Sequence, residues 1–181
     1  MDLKIHTLDT APAGSRELLE GIKGDLGFVP NLAASIAESP ALLAGFDGLR
    51  RAVQSGELSA TDREIAGVAV GVAVDNAYGV AFHSTVLAGL GVDDTEIERM
   101  RSGSEPSDAH RAAVYALARE IVVTRGKVGP ATIARATAAG LTPALVLEVV
   151  AECTFAALVG VVDNLADRVE LDEPLVPRAW G

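Results

Sequence analysis

The segment from Gly140 to Val169, GLTPALVLEVVAECTFAALVGVVDNLADRV, constrains the fold most. Thr142 is a good N-cap and Pro143 a good first helical residue, so a helix starts there. It is apolar on nearly every side, and such a helix must lie inside a domain with other helices around it. The rest of the chain supplies them. Thr10 to Gly27 predicts a helix with Leu18, Leu19 and Ile22 on one face, and LGFVPN (26–31) is a turn before Leu32 to Glu38. Ser39 and Pro40 open the next helix. Thr61 followed by Glu64 reads as a capping box for a helix that runs through IAGVAVGVAV (65–74) and stops near Asp75-Asn76. Ala77 to Ala88, a short helix capped by Asp93, Ala109 to Arg125, and Ala131 to Ala139 follow. No strand alternation is present, so the expected class is all-α. A weak repeat of Gly, cap and amphipathic helix, from Gly91 and again from Gly140, suggests two related helical halves. One domain over 1–181 is expected, with a helical arm over about 1–58 and an extended tail over about 171–181.

Composition narrows the partners. Fifteen basic against 25 acidic residues give a net charge of −10. A surface of that sign repels phosphate backbones, and no basic stripe offsets it, so no nucleic-acid partner is expected. The ten-residue run 65–74 is too short to cross a bilayer, and MDLKIHTLDT has no apolar leader core. A cytoplasmic protein without a membrane partner is the expectation. The sole cysteine, Cys153, excludes any CxxC pair or four-thiolate zinc site within these residues. An apolar all-α chain of this kind is expected to bury helix faces against copies of itself, as a homo-oligomer.

The spacing Glu64-x11-Asn76-x2-Gly79-x3-His83 resembles the AhpD-like alkylhydroperoxidase and carboxymuconolactone decarboxylase family. LGFVPNLAASIAESPALL and VVDNLADRVELDEPLVPRAW resemble the two ends of its longer members. The redox branch carries Glu-x11-Cys-x2-Cys-x3-His, so Glu64 and His83 fall on the relay glutamate and histidine. Asn76 and Gly79 stand where the two cysteines belong. The resemblance implies an all-helical, homo-oligomeric fold with its site at the start of the helix that bears these residues. Dithiol peroxidase chemistry is expected to be absent, and neither cofactor nor metal is expected.

The function expected is a non-redox acid/base enzyme of decarboxylase, lyase or isomerase type, acting on a small carbonyl- or carboxylate-bearing molecule. His83 and Glu64 are the expected catalytic pair, with His83 also readable as a satisfied interface histidine. Asn76, Tyr78, Gly79 and Phe82 are the expected substrate contacts. Asn76 reads first as an N-cap, and free N–H groups at its helix start could hold an oxyanion. Tyr78 and Phe82 share a helix face as pocket walls or core. The alternative is an inactive relic that holds a ligand or partner without turnover. Glu148 and Glu152, four apart on the most apolar helix, invite a metal or acid/base reading, but without further ligands they read first as salt-bridge or oligomer contacts. Cys153 reads as a buried inert thiol, and His6 and His110 as solvated.

Overall fold

A computed structural model describes residues 1–181. It is helical throughout, without strands. In chain order the α-helices are α1 (Ala13–Leu26), α2 (Asn31–Ile36), α3 (Pro40–Gln54), α4 (Ala60–Ala73), α5 (Ala77–Gly89), α6 (Asp94–Arg101), α7 (Ala109–Thr124), α8 (Pro130–Ala138) and α9 (Pro143–Leu165). A 3₁₀ helix, Glu173–Arg178, ends the chain.

Local chemistry sets most of the helix ends. The Ser39, Asn76, Asp93, Asp108 and Thr142 side chains each accept a backbone N–H of their helix's first turn, which satisfies a donor that has no intrahelical partner. α1 stops at Gly27, whose φ of 82° is the left-handed cap that glycine takes at little cost. One cap differs from the sequence expectation. The Ser59 side chain, not Thr61, caps α4, accepting the Asp62 N–H at 3.1 Å and donating to Asp62 Oδ2 at 2.7 Å. Glu64 is therefore released from capping.

Two apolar cores share walls. The first joins α4, α6, α7, α8 and the first half of α9, with Ile65, Val68, Leu117 and Val149 fully buried. The second joins α1, α2 and α3 to Tyr78 and Ala81 of α5 and to Val159 and Val162 of α9. Helices α5 and α9 face both cores. The N-terminal arm thus folds across them and roofs the junction where α4, α5 and α9 meet.

α4 and α7 start at Ala60 and Ala109, and α6 and α9 at Asp94 and Pro143. Both pairs are offset by 49 residues, the spacing of the weak repeat. The tail departs from expectation. Pro174 and the buried Leu175 turn it into the 3₁₀ helix instead of an extended strand. It is fastened to its own chain: Arg101 donates to the Arg178 and Ala179 carbonyls at 2.9 and 2.8 Å, and the Trp180 indole donates to the Arg101 carbonyl at 3.1 Å.

Candidate active site

At that junction lies a cavity of about 70 Å³, several times what one water requires. Phe46, Arg50, Val53 and Gln54 of α3 line one side, with Leu26 and Leu32 beside them. Arg63 and Glu64 of α4, Tyr78, Gly79, Phe82 and His83 of α5, and Glu152, Phe155 and Val159 of α9 line the other. Four of the chain's seven aromatic residues are among them.

His83 is 5% exposed. Its Nδ1 lies 2.7 Å from Oε2 of Glu64, and this carboxylate fixes Nδ1 as the protonated nitrogen. Nε2 makes no hydrogen bond to the protein and opens onto the cavity. Burial alone would depress the imidazole pKa. The hydrogen bond to Glu64, its charge and that of Glu152 outweigh burial, and the pKa is raised. The ring lies so close to α4 that a Cβ on Gly67 would come within 2.4 Å of it. A glycine there lets the imidazole rest on the helix backbone.

Glu152 is the residue that the sequence reading left out of the site. It is 3% exposed, makes no hydrogen bond to the protein, and its carboxyl opens onto the cavity. Burial pushes its pKa up to about 7, with the His83 charge pulling it down and the Glu64 charge pushing it up. The salt-bridge and oligomer-contact readings do not apply to it. Its neighbour Glu148 turns the other way and accepts the Leu58 N–H at 2.6 Å. The available signal was a glutamate on the most apolar helix of the chain.

The expected substrate contacts divide. Phe82 lines the cavity, edge-on to the His83 ring. Tyr78 offers its ring, but its hydroxyl donates to Asp172 Oδ2 at 2.5 Å, and burial followed by this carboxylate raises its pKa. It is thereby held as a wall and withdrawn as a proton donor. Asn76 does not reach the cavity. It is fully buried, with Oδ1 accepting the Gly79 N–H at 2.8 Å and Nδ2 donating to the Ala156 carbonyl at 3.4 Å. Gly79 does line the cavity, but its missing side chain is dictated by Asn76, whose amide lies 2.2 Å from where a Cβ would stand. The start of α5 is not free for an oxyanion, because Asn76 takes the Gly79 N–H and the buried Asp163 the Tyr78 N–H.

Arg50, also buried on the lining, is ion-paired to Asp47 and Asp25. Burial, with the neighbouring Glu152 charge adding to it, pushes the Cys153 thiol up to about 12, and Sγ donates to the Ala118 carbonyl. His6 is buried rather than solvated, between the Thr10 carbonyl and Glu38. His110 is half-buried and bridges the Ala139 carbonyl and Asp62.

Residues 40–119, from the start of α3 into α7, match the model of the carboxymuconolactone decarboxylase family. Over this segment the chain is similar to that family. Its fold is the AhpD-like one. A peroxidase-related protein with an alkylhydroperoxidase AhpD core from Ralstonia eutropha JMP134 superposes with a TM-score of 0.82 at 19% identity, over 95% of this chain and 92% of that one. A peroxidase-related protein from Silicibacter sp. TM1040 gives 0.77 at 17%, over 96% and 91%. The debrominase Bmp8, as a variant in complex with 2,3,4-tribromopyrrole, gives 0.78 at 13%, over 98% and 94%. No curated protein sequence matches the chain. The segment that carries the carboxymuconolactone decarboxylase signature holds Glu64 and His83, whereas Glu152 and the arm helices α1 and α2 lie outside it.

Proposed function

We propose that the protein is a non-redox acid/base enzyme of decarboxylase, lyase or isomerase type, acting on a small carbonyl- or carboxylate-bearing molecule in the cytoplasm. One observation carries the reading: His83 is oriented by Glu64 through Nδ1 while Nε2 opens, unpartnered, onto a largely apolar cavity. An imidazole so held is a base at Nε2. The carboxylate stabilises the imidazolium that forms when it takes a proton. The surrounding Phe46, Phe82, Phe155 and Val159 side chains exclude water and strengthen these electrostatic effects.

Thiol chemistry finds no support. The one cysteine has its thiol pinned on a carbonyl, with a pKa far above neutrality, and thiolate is the reactive form. A second reading, ligand holding without turnover, draws on the modest volume of the cavity.

The two readings separate in heavy water. Small ketones, lactones and carboxylic acids are screened by proton NMR for exchange or loss of carbon-bound hydrogen. His83→Ala should slow the reaction of any turned-over compound by about 100-fold or more. Full activity in that variant rules out His83 as the base. Binding of a compound with no turnover in wild type supports the holding role.

A further inference from the structure

We infer that Glu152 is the proton-donating partner of this site: a neutral carboxylic acid aimed at an uncharged oxygen of the substrate, the carbonyl of a small unsaturated ketone, ester or lactone. The inference rests on the acid/base reading above and narrows its substrate. Glu152 is a nearly fully buried polar side chain with no protein partner, set on the most apolar helix and opening onto the cavity. A buried group of this kind carries a desolvation cost unless something bonds to it, so its partner must come from the ligand.

The groups that share the cavity fix which form is held. Arg63 and Glu64 of α4, His83 of α5, and Arg50 and Gln54 of α3 line it with Glu152. Both arginines have acceptors elsewhere: Arg50 pairs with Asp47 and Asp25, and Arg63 donates to the Leu58 carbonyl at 2.9 Å. No guanidinium hydrogen-bonds the Glu152 carboxyl, and burial, opposed by the His83 charge and aided by that of Glu64, shifts it towards its protonated form. A protonated carboxyl donates one hydrogen bond. A substrate carboxylate placed against Glu152 would meet the like charge of the neighbouring Glu64, whereas a carbonyl oxygen would not. The rings of Phe46, Tyr78, Phe82 and Phe155 around this point suit a flat, unsaturated ligand.

The step closes without any further reactant. Nε2 of His83 takes a proton from the carbon beside the carbonyl, and the C–H electron pair becomes a C=C bond. The carbonyl π pair moves to oxygen, which takes the Glu152 proton, giving an enol, an imidazolium and a carboxylate. Return of the His83 proton to a different carbon of the conjugated system, and of the enol proton to Glu152, completes an isomerisation and restores both groups.

Cyclohex-2-enone serves as the probe, with infrared spectra of its carbonyl stretch and titration calorimetry on wild type, Glu152→Gln and Glu152→Leu. The bound carbonyl should shift to lower frequency in wild type and in Glu152→Gln, whose amide still donates. Glu152→Leu should lose the shift and bind about 10-fold more weakly. Glu152→Gln should keep affinity yet slow deuterium exchange beside the carbonyl by about 100-fold, a split that a merely structural role would not produce. An unchanged stretch and affinity in Glu152→Leu overturns the assignment, and absence of saturable enone binding in wild type overturns the substrate class. Exchange that survives His83→Ala while Glu152→Leu loses the shift sinks the acid/base reading alone. The converse pattern sinks the Glu152 assignment alone.

Discussion

Glu152 and Gly67 matter through what a single atom group would do if changed. In the unfolded chain Glu152 ionises near its ordinary 4.5, whereas in the folded chain it ionises only near 7. Folding is therefore penalised by its charge: the penalty is absent below about pH 4.5, grows through the interval, and is complete above about 7. Glu152→Gln should raise stability at pH 8 by on the order of 3 kcal/mol and by almost nothing at pH 4, in urea titrations at the two pH values. Equal gains at both would mean that the carboxyl is not held neutral. Gly67 acts on His83. A methyl group there would stand where the imidazole now lies, and the ring would have to swing off α4 into the cavity. The Glu64 hydrogen bond would go with it, leaving burial to dominate. Gly67→Ala should thus remain folded but move the His83 pKa from above to below its ordinary value, as ring-proton NMR titration would record. A His83 titration identical to wild type would show that the backbone seat has no influence.

The caps were legible at the scale of elements because cap chemistry is local. Ser39, Asn76, Asp93 and Thr142 each need only their own next turn, and each caps the helix that the sequence assigns to it. The start of α4 was misread for a related reason. Ser59-x-x-Asp62 and Thr61-x-x-Glu64 lie two residues apart and are equivalent as local patterns. What separates them is distant, since Glu64 is drawn to His83 on α5 and Asp62 to His110 on α7. Ser59→Ala should cost about 1 kcal/mol of stability through loss of the cap, whereas Glu64→Gln should leave α4 intact and lower the His83 pKa. A stability loss confined to Thr61→Ala would contradict this cap assignment. Glu152 illustrates the other limit of a sequence reading. Its spacing on α9 says that it is misplaced among apolar residues, but the cavity that explains it exists only once the arm, about a hundred residues earlier in the chain, has folded over α5 and α9.

For the whole molecule, the open question is what covers the outside of α9. Its inner side packs on α3, α4, α5 and α7. Its outer side leaves Leu147 68%, Val161 67%, Leu165 56% and Val150 38% exposed. These positions, with Thr154 between them, recur at steps of three, four and seven, which is the spacing of a helix–helix seam. By length and apolarity α9 is also the one helix that could cross a membrane, yet its two buried carboxylates, Glu152 and Asp163, face inward onto the site and the start of α5. A second copy of the same helix is the proposed cover. In a twofold pair each exposed side chain is buried twice, at about 1.5–3 kcal/mol for each fully covered side chain. Against this stands the repulsion of two chains that each carry −10, which salt screens over about 10 Å at 0.1 M. The wild-type protein should accordingly scatter light as an oligomer whose dissociation weakens as salt is raised. Val161→Glu and Leu147→Glu should each shift it towards monomer without disturbing His83, which lies on the opposite side of α9. A wild-type protein that stays monomeric at micromolar concentration in high salt would leave the stripe without this role.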